Sequence, residues 1–125
     1  MENKNFSLEN SKSFELAKKF LGKEVEVTID RSLGSKHPEH GFSYEVNYGF
    51  IKGIKAPDDE DLDAYFLGVD KPIDKGQGIC IAIVHRKNDD DDKLVVVPKG
   101  LEIDNDKIMS LINFQEKYFD IEIIR

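Results

Sequence analysis

Carboxylates dominate the residues of this chain that can do chemistry. Two acidic clusters, Pro57-Asp58-Asp59-Glu60-Asp61-Leu62-Asp63 and Asn88-Asp89-Asp90-Asp91-Asp92-Lys93, flank a stretch of strand-like sequence. If the fold brings both to one place, their charges repel: two like charges about 4 Å apart cost about 1 kcal/mol in water and about 4 kcal/mol near a protein surface. Burial would drive some of those carboxyls to take up protons. A positive centre reverses the sign, so clustered carboxylates suit a site that holds a divalent cation and phosphate, and Mg²⁺ is the natural candidate. A helix-flanked calcium loop is excluded. It needs glycine at its sixth position and glutamate at its twelfth, and counted from Asp58 those positions hold Asp63 and Val69. Taken alone, each cluster reads as a solvated surface loop, because charged residues are normally exposed.

The elements that must carry these residues are short. Ser11 to Leu21 places Phe14, Ala17, Phe20 and Leu21 at helical spacing, with Gly22 where a helix would stop. From Lys23 to Asp30 the pattern becomes strict alternation, with Val25, Val27 and Ile29 on one side, which predicts a half-buried strand with Arg31 at its end. Ser32 to Gly41 holds Gly34, Pro38 and Gly41 and reads as a loop, in which His37 and His40 read as exposed side chains. Tyr44, Val46, Tyr48 and Phe50 alternate as a second strand, Ala64–Val69 and Gly78–His85 read as two more, and Leu94–Val97 as another ending at Pro98. Asn105 to Phe119 predicts a second helix, and Ile121–Ile124 an edge strand. Strands without crossover helices between them point to a mainly β fold with packed helices (α+β), a small antiparallel barrel or strongly curved sheet.

Length and composition limit the function classes. At 125 residues the expectation is one domain spanning 1–125, with a single core. A net charge of −7 argues against a general nucleic-acid binder, which needs a dense Lys/Arg face. No apolar run reaches bilayer length, and Met1-Glu2-Asn3-Lys4-Asn5 lacks a leader's apolar stretch, so no membrane association is expected and the cytoplasm is the default compartment. The lone Cys80, inside an apolar strand-like run, excludes an internal disulfide and reads as a small buried hydrophobe.

The clusters keep informative company. Asp30-Arg31, then Tyr44-Glu45-Val46-Asn47-Tyr48-Gly49-Phe50-Ile51, then the first acidic cluster, then Asp91-Asp92-Lys93-Leu94 and finally Tyr118 follow one another in order. Over roughly residues 23–120 this order resembles that of the family I soluble inorganic pyrophosphatases. The resemblance implies a five-stranded OB-like closed barrel with an N-terminal and a C-terminal helix. It implies metal ligands at Asp58, Asp63 and Asp91, with the remaining turn aspartate near Asn88 or Asp89, and Glu60 in the place of the general base. Arg31 and Lys93 would grip phosphate, with Tyr48 directing its hydroxyl into the pocket and Tyr118 as a further phosphate contact; Lys36, in an insertion between Arg31 and Tyr48 that departs from the family pattern, is a candidate phosphate contact of this chain's own. Departures are visible: Glu45 and Lys52 replace prolines, Asp59 and Asp61 replace glycine and proline, and Phe119 replaces a lysine.

The implied activity is Mg²⁺-dependent hydrolysis of inorganic pyrophosphate, with several ions per site and a water activated between them. Two alternatives stay open. In one, the insertion containing Lys36, His37 and His40 admits a nucleotide or other organic diphosphate; in the other, the barrel binds a phosphorylated ligand without catalysis. Many bacterial members of the family are homo-oligomers, so self-association is also implied.

Overall fold

The computed structural model describes residues 11–125. Its elements run α1 (Lys12–Lys18), β1 (Glu24–Arg31), β2 (Asn47–Lys55), β3 (Asp61–Phe66), β4 (Lys75–Arg86), β5 (Lys93–Val97), α2 (Asn105–Glu116) and β6 (Ile121–Ile124). The strands hydrogen-bond in the order β1-β2-β3-β5-β4, and β4 pairs back with β1, so the five close into a barrel; β6 adds to the far end of β4. No helix among the described residues is long and apolar enough to cross a membrane. The reading of Met1–Asn5 lies outside the described residues.

Alternation along the strands divides the apolar residues between two cores. Val27, Ile51, Leu62, Ala64, Phe66, Cys80, Ile83, Leu94 and Val96 come from all five barrel strands and fill the interior, where Phe14 and Ala17 of α1 join them. Residues on the opposite face, among them Tyr48, Tyr65, Ala82, Val84, Val95 and Val97, pack outward against Ile108, Ile112 and Phe114 of α2, a register shift between Cys80 and Ala82 changing the face along β4. Sandwiched between the two cores, β5 is buried along its whole length, which explains its unbroken Leu94-Val95-Val96-Val97 run. Both helices have side-chain N-caps: Ser11 accepts from the Phe14 N–H at 3.2 Å and Asp104 from the Lys107 N–H at 2.8 Å.

The barrel expectation stands, with three corrections. Tyr44 and Val46 are buried but precede β2, which begins at Asn47 and runs on to Lys55. The strand expected at Ala64–Val69 starts three residues earlier, so Asp61 and Asp63 lie inside β3. The pairing of β3 with β5 is parallel, Ala64 opposite Leu94 and Tyr65 opposite Val95, because β4 intervenes in the chain and returns it to the starting end of β3. That parallel pair sets the beginnings of β3 and β5 side by side, and with them one residue of each acidic cluster.

Gly49 shows how tightly the barrel closes. A Cβ there would lie 1.8 Å from the Thr28 carbonyl oxygen on β1. Gly49→Ala is therefore expected to cost about 3 kcal/mol or more through forced separation of β1 and β2, read as a large fall in the thermal midpoint; a midpoint within a few degrees of the parent would refute the close approach.

Candidate active site

The residues of interest lie on the outer face of the barrel, at the open side of the α2 core. A β-bulge between Ile29 and Arg31 ends the regular pairing of β1 with β2 and re-aims Asp30 and Arg31 over the rim. From the neighbouring strands, Tyr48 of β2, Asp63 of β3, Arg86 of β4 and Lys93 of β5 point to the same side. Together with Asp91 they line a cavity of about 700 Å³, closed opposite by Gln115 of α2, Tyr118 and Phe119, and along one edge by the loop bearing His37, His40, Phe42 and Tyr44.

Lys93 is the centre of this arrangement. Its side chain is only 2% exposed, and its Nζ donates to Asp63 Oδ2 at 2.9 Å and lies 3.2 Å from Asp91 Oδ2. The two clusters thus meet, and the positive charge among them is an ammonium supplied by the protein. Arg86 adds a second buried cation. Burial works against its charge, but Glu116 on α2 accepts from Nε at 3.0 Å and Nη2 at 2.9 Å, and Asp91 accepts from Nη1 at 3.4 Å, so the guanidinium is held protonated. The Phe119 ring covers that guanidinium at 3.6 Å, which gives Phe119 a place in the site. Glu116 also accepts from the Tyr65 hydroxyl, to which Gln115 donates at 2.7 Å, so Arg86 is anchored through α2 into the core.

Tyr48 is buried. Burial first, then the Asp63 and Asp91 charges, push its phenol well above the usual range and keep it a neutral hydroxyl. Burial raises the Asp30 carboxyl as well, against the pull of Arg31, and the nearby Asp63 charge adds to the rise. Arg31 is more open and lies 3.8 Å from Asp30 Oδ2. Burial pushes the Cys80 thiol up to about 11, consistent with an inert core residue.

The four consecutive aspartates of the second cluster each have a different set of partners. Asp89 reaches Arg86 at 3.5 Å. Asp90 accepts from the Ser13 N–H at 2.9 Å, tying the start of α1 to the turn. Asp91 turns inward to Lys93 and Arg86. Asp92, buried, holds His85 Nδ1 at 2.8 Å and the Arg86 N–H at 3.0 Å.

The structure therefore gathers Arg31, Tyr48, Asp63, Asp91, Lys93 and Tyr118 around one cavity. Glu60 lines a smaller neighbouring hollow of about 190 Å³ with Asp61 and Lys55, and Asp30 and Asp63 stand at the junction of the two. Asp58 is exposed, its Oδ1 accepting from the Glu60 N–H at 3.0 Å in a local turn. Asp58, Asp89 and Lys36 line neither hollow. Arg86 follows the strand-like run Gly78–His85 and stands beside the second acidic cluster, where the sequence allows either neutralisation of that cluster or a structural ion pair; Phe42, Gln115 and Glu116 carry no comparable signal.

Among the described residues no group of three or more His, Cys, Asp or Glu side chains stands close enough to hold an ion. The two carboxylates best placed for it, Asp63 and Asp91, already share the Lys93 ammonium.

No protein-family model and no curated protein sequence matches the chain. Solved structures do. The inorganic pyrophosphatase of Ehrlichia chaffeensis superposes with a TM-score of 0.62 at 18% identity, covering 82% of this chain and 85% of that one. The inorganic pyrophosphatase of Helicobacter pylori gives 0.60 at 15% identity over 82% and 84%, and that of Coxiella burnetii 0.55 at 18% over 78% of each chain. These superpositions show that this chain shares the fold of those inorganic pyrophosphatases.

Proposed function

We propose that this protein hydrolyses a phosphoanhydride, with inorganic pyrophosphate as the simplest substrate, in the cavity between Arg31, Arg86 and Lys93. The observation that carries the reading is the convergence of three cations and two partly exposed carboxylates, Asp63 and Asp91, on one cavity. Magnesium enters as part of the substrate: the ion is commonly held by one or two carboxylates together with substrate phosphates, so a complete protein cage is not required.

In this scheme phosphate oxygens displace the carboxylates from Lys93 and take its charge-assisted hydrogen bonds, and Arg31 clamps from the mouth in bidentate fashion. Asp63 and Asp91, freed of the ammonium, would be the carboxylates that hold a magnesium ion carried in on the phosphates, and the ion would offset the phosphate charge. Water attacks phosphorus, its oxygen forming the new P–O bond as the bridging P–O bond breaks and the electron pair leaves with the departing phosphate. The water's proton passes to a carboxylate at the junction of the two hollows, where Asp63 stands with Glu60 in reach of the smaller one. Charge growing on the leaving group is met by Lys93 and Arg31 in a site half-enclosed by aromatic rings.

The test is phosphate release from magnesium pyrophosphate by the purified chain. The expected result is turnover that stops on chelation and falls by about 100-fold or more in Asp63→Asn and in Asp91→Asn. Unchanged turnover in both variants would refute the site. A non-catalytic reading is favoured by one observation, the absence of a three-acid cluster among the described residues; calorimetric binding of pyrophosphate with no phosphate released would establish it.

A further inference from the structure

The cavity has a second half that a bare pyrophosphate leaves unused. Its volume of about 700 Å³ falls within the range of pockets that enclose organic ligands. Beside its charged groups the cavity is lined by the rings of His37, His40, Phe42, Tyr44, Tyr118 and Phe119, the last of them resting on the Arg86 guanidinium. A small, fully charged anion gains nothing from ring faces, whereas a planar heteroaromatic group stacks on them.

The aromatic half is fixed in place. The loop between β1 and β2 folds back on itself through the Lys36–Ser43 bridge, with Tyr44 N–H donating to the Ser35 carbonyl at 2.7 Å and His37 N–H to the Phe42 carbonyl at 2.8 Å. His37 Nδ1 accepts from the Glu39 and His40 N–H groups, both at 3.1 Å, so its ring is locked at the loop tip. Burial, and then the neighbouring His40, lower the His37 titration point, which favours a neutral ring suited to stacking. The ring centroids of His37 and His40 lie 4.5 Å apart, and Phe42 lies 4.9 Å from His37. Across the mouth, Tyr118 is 63% exposed and lies nearly parallel to Phe42 at 6.4 Å.

We infer that the substrate is a diphosphate ester carrying a planar heteroaromatic group, of the nucleoside diphosphate class, with its phosphates on Arg31 and Lys93 and its ring against the His37–His40–Phe42 loop and Tyr118. This rests on the phosphoanhydride reading above and names the organic part of the ligand. Hydrolysis then places water on the terminal phosphorus and breaks the bridging P–O bond. The nucleoside monophosphate leaves with the electron pair.

The inference is tested by calorimetric titration of the full chain, at fixed magnesium, with ADP, methyl diphosphate and pyrophosphate, each as its non-hydrolysable methylene-bridged analogue so that the heat reads binding and not turnover. ADP is expected to bind at least about 10-fold tighter than methyl diphosphate, and the ADP-to-methyl-diphosphate ratio to fall toward one in the His37→Ala/His40→Ala double variant. Equal affinities for the two esters, or a ratio unaltered by the double variant, would overturn it. Binding of pyrophosphate with none of ADP overturns this inference and leaves the phosphoanhydride reading standing; failure of all three to bind removes both.

Discussion

Lys93→Met is expected to lower phosphoanhydride turnover by at least about 100- to 1,000-fold, the scale on which loss of one preorganised charge stabiliser acts. The reason lies in what the ammonium holds. With its Nζ 2.9 Å from Asp63 and 3.2 Å from Asp91, it neutralises two carboxylates that otherwise face each other across a half-closed cavity. Methionine keeps much of the length and apolar volume of the stem, so the β5 packing survives while the charge is removed. The repulsion left between Asp63 and Asp91 then opposes any phosphate anion entering the cavity. Phosphate release and pyrophosphate titration measured side by side check this: a variant that retains its thermal midpoint and full turnover would remove Lys93 from the chemistry.

The second large effect is on stability. Arg86 has an almost fully buried side chain and forms a bidentate pair with Glu116, whose side chain is 1% exposed. Breaking such a pair on one side leaves an uncompensated charge inside the protein, and Arg86→Ala is expected to cost about 3–5 kcal/mol in denaturant unfolding. The companion double variant, Arg86→Met/Glu116→Leu, should recover most of that loss, because replacing a buried pair by apolar groups of similar volume is commonly neutral. A cost below about 1 kcal/mol for Arg86→Ala would show the pair to be dispensable.

Much of the barrel is legible from residue alternation. Val25-Glu26-Val27-Thr28-Ile29 and Leu94-Val95-Val96-Val97 each carry a strand pattern strong enough to survive without context. The parallel pairing of β3 with β5 is not legible, since register between strands separated by a third depends on how the barrel closes. Its consequence for the site is direct, because it is what brings Asp63 to Lys93. Within the first acidic cluster, Asp63 enters a strand and takes its orientation from strand parity, whereas Asp58 spends its carboxylate on the turn that precedes the strand. Sequence spacing alone does not distinguish these two fates. The Asp89–Asp92 run teaches the same lesson: four identical residues act as an arginine partner, a helix tether, a site carboxylate and a histidine anchor, as the direction of each side chain dictates. Clustered acids call for positive charge among them, and the fold supplies part of it from Lys93 and Arg86, the latter anchored by a bond to α2 that no local motif announces.

Crystals of the protein grown with Mg²⁺ and a non-hydrolysable diphosphate test the central claim most directly. The account predicts phosphate oxygens within hydrogen-bond distance of Lys93 Nζ and the Arg31 guanidinium, with Lys93 drawn away from at least one of Asp63 and Asp91. A diphosphate bound elsewhere, or excluded while Lys93 still bridges both carboxylates, would contradict it.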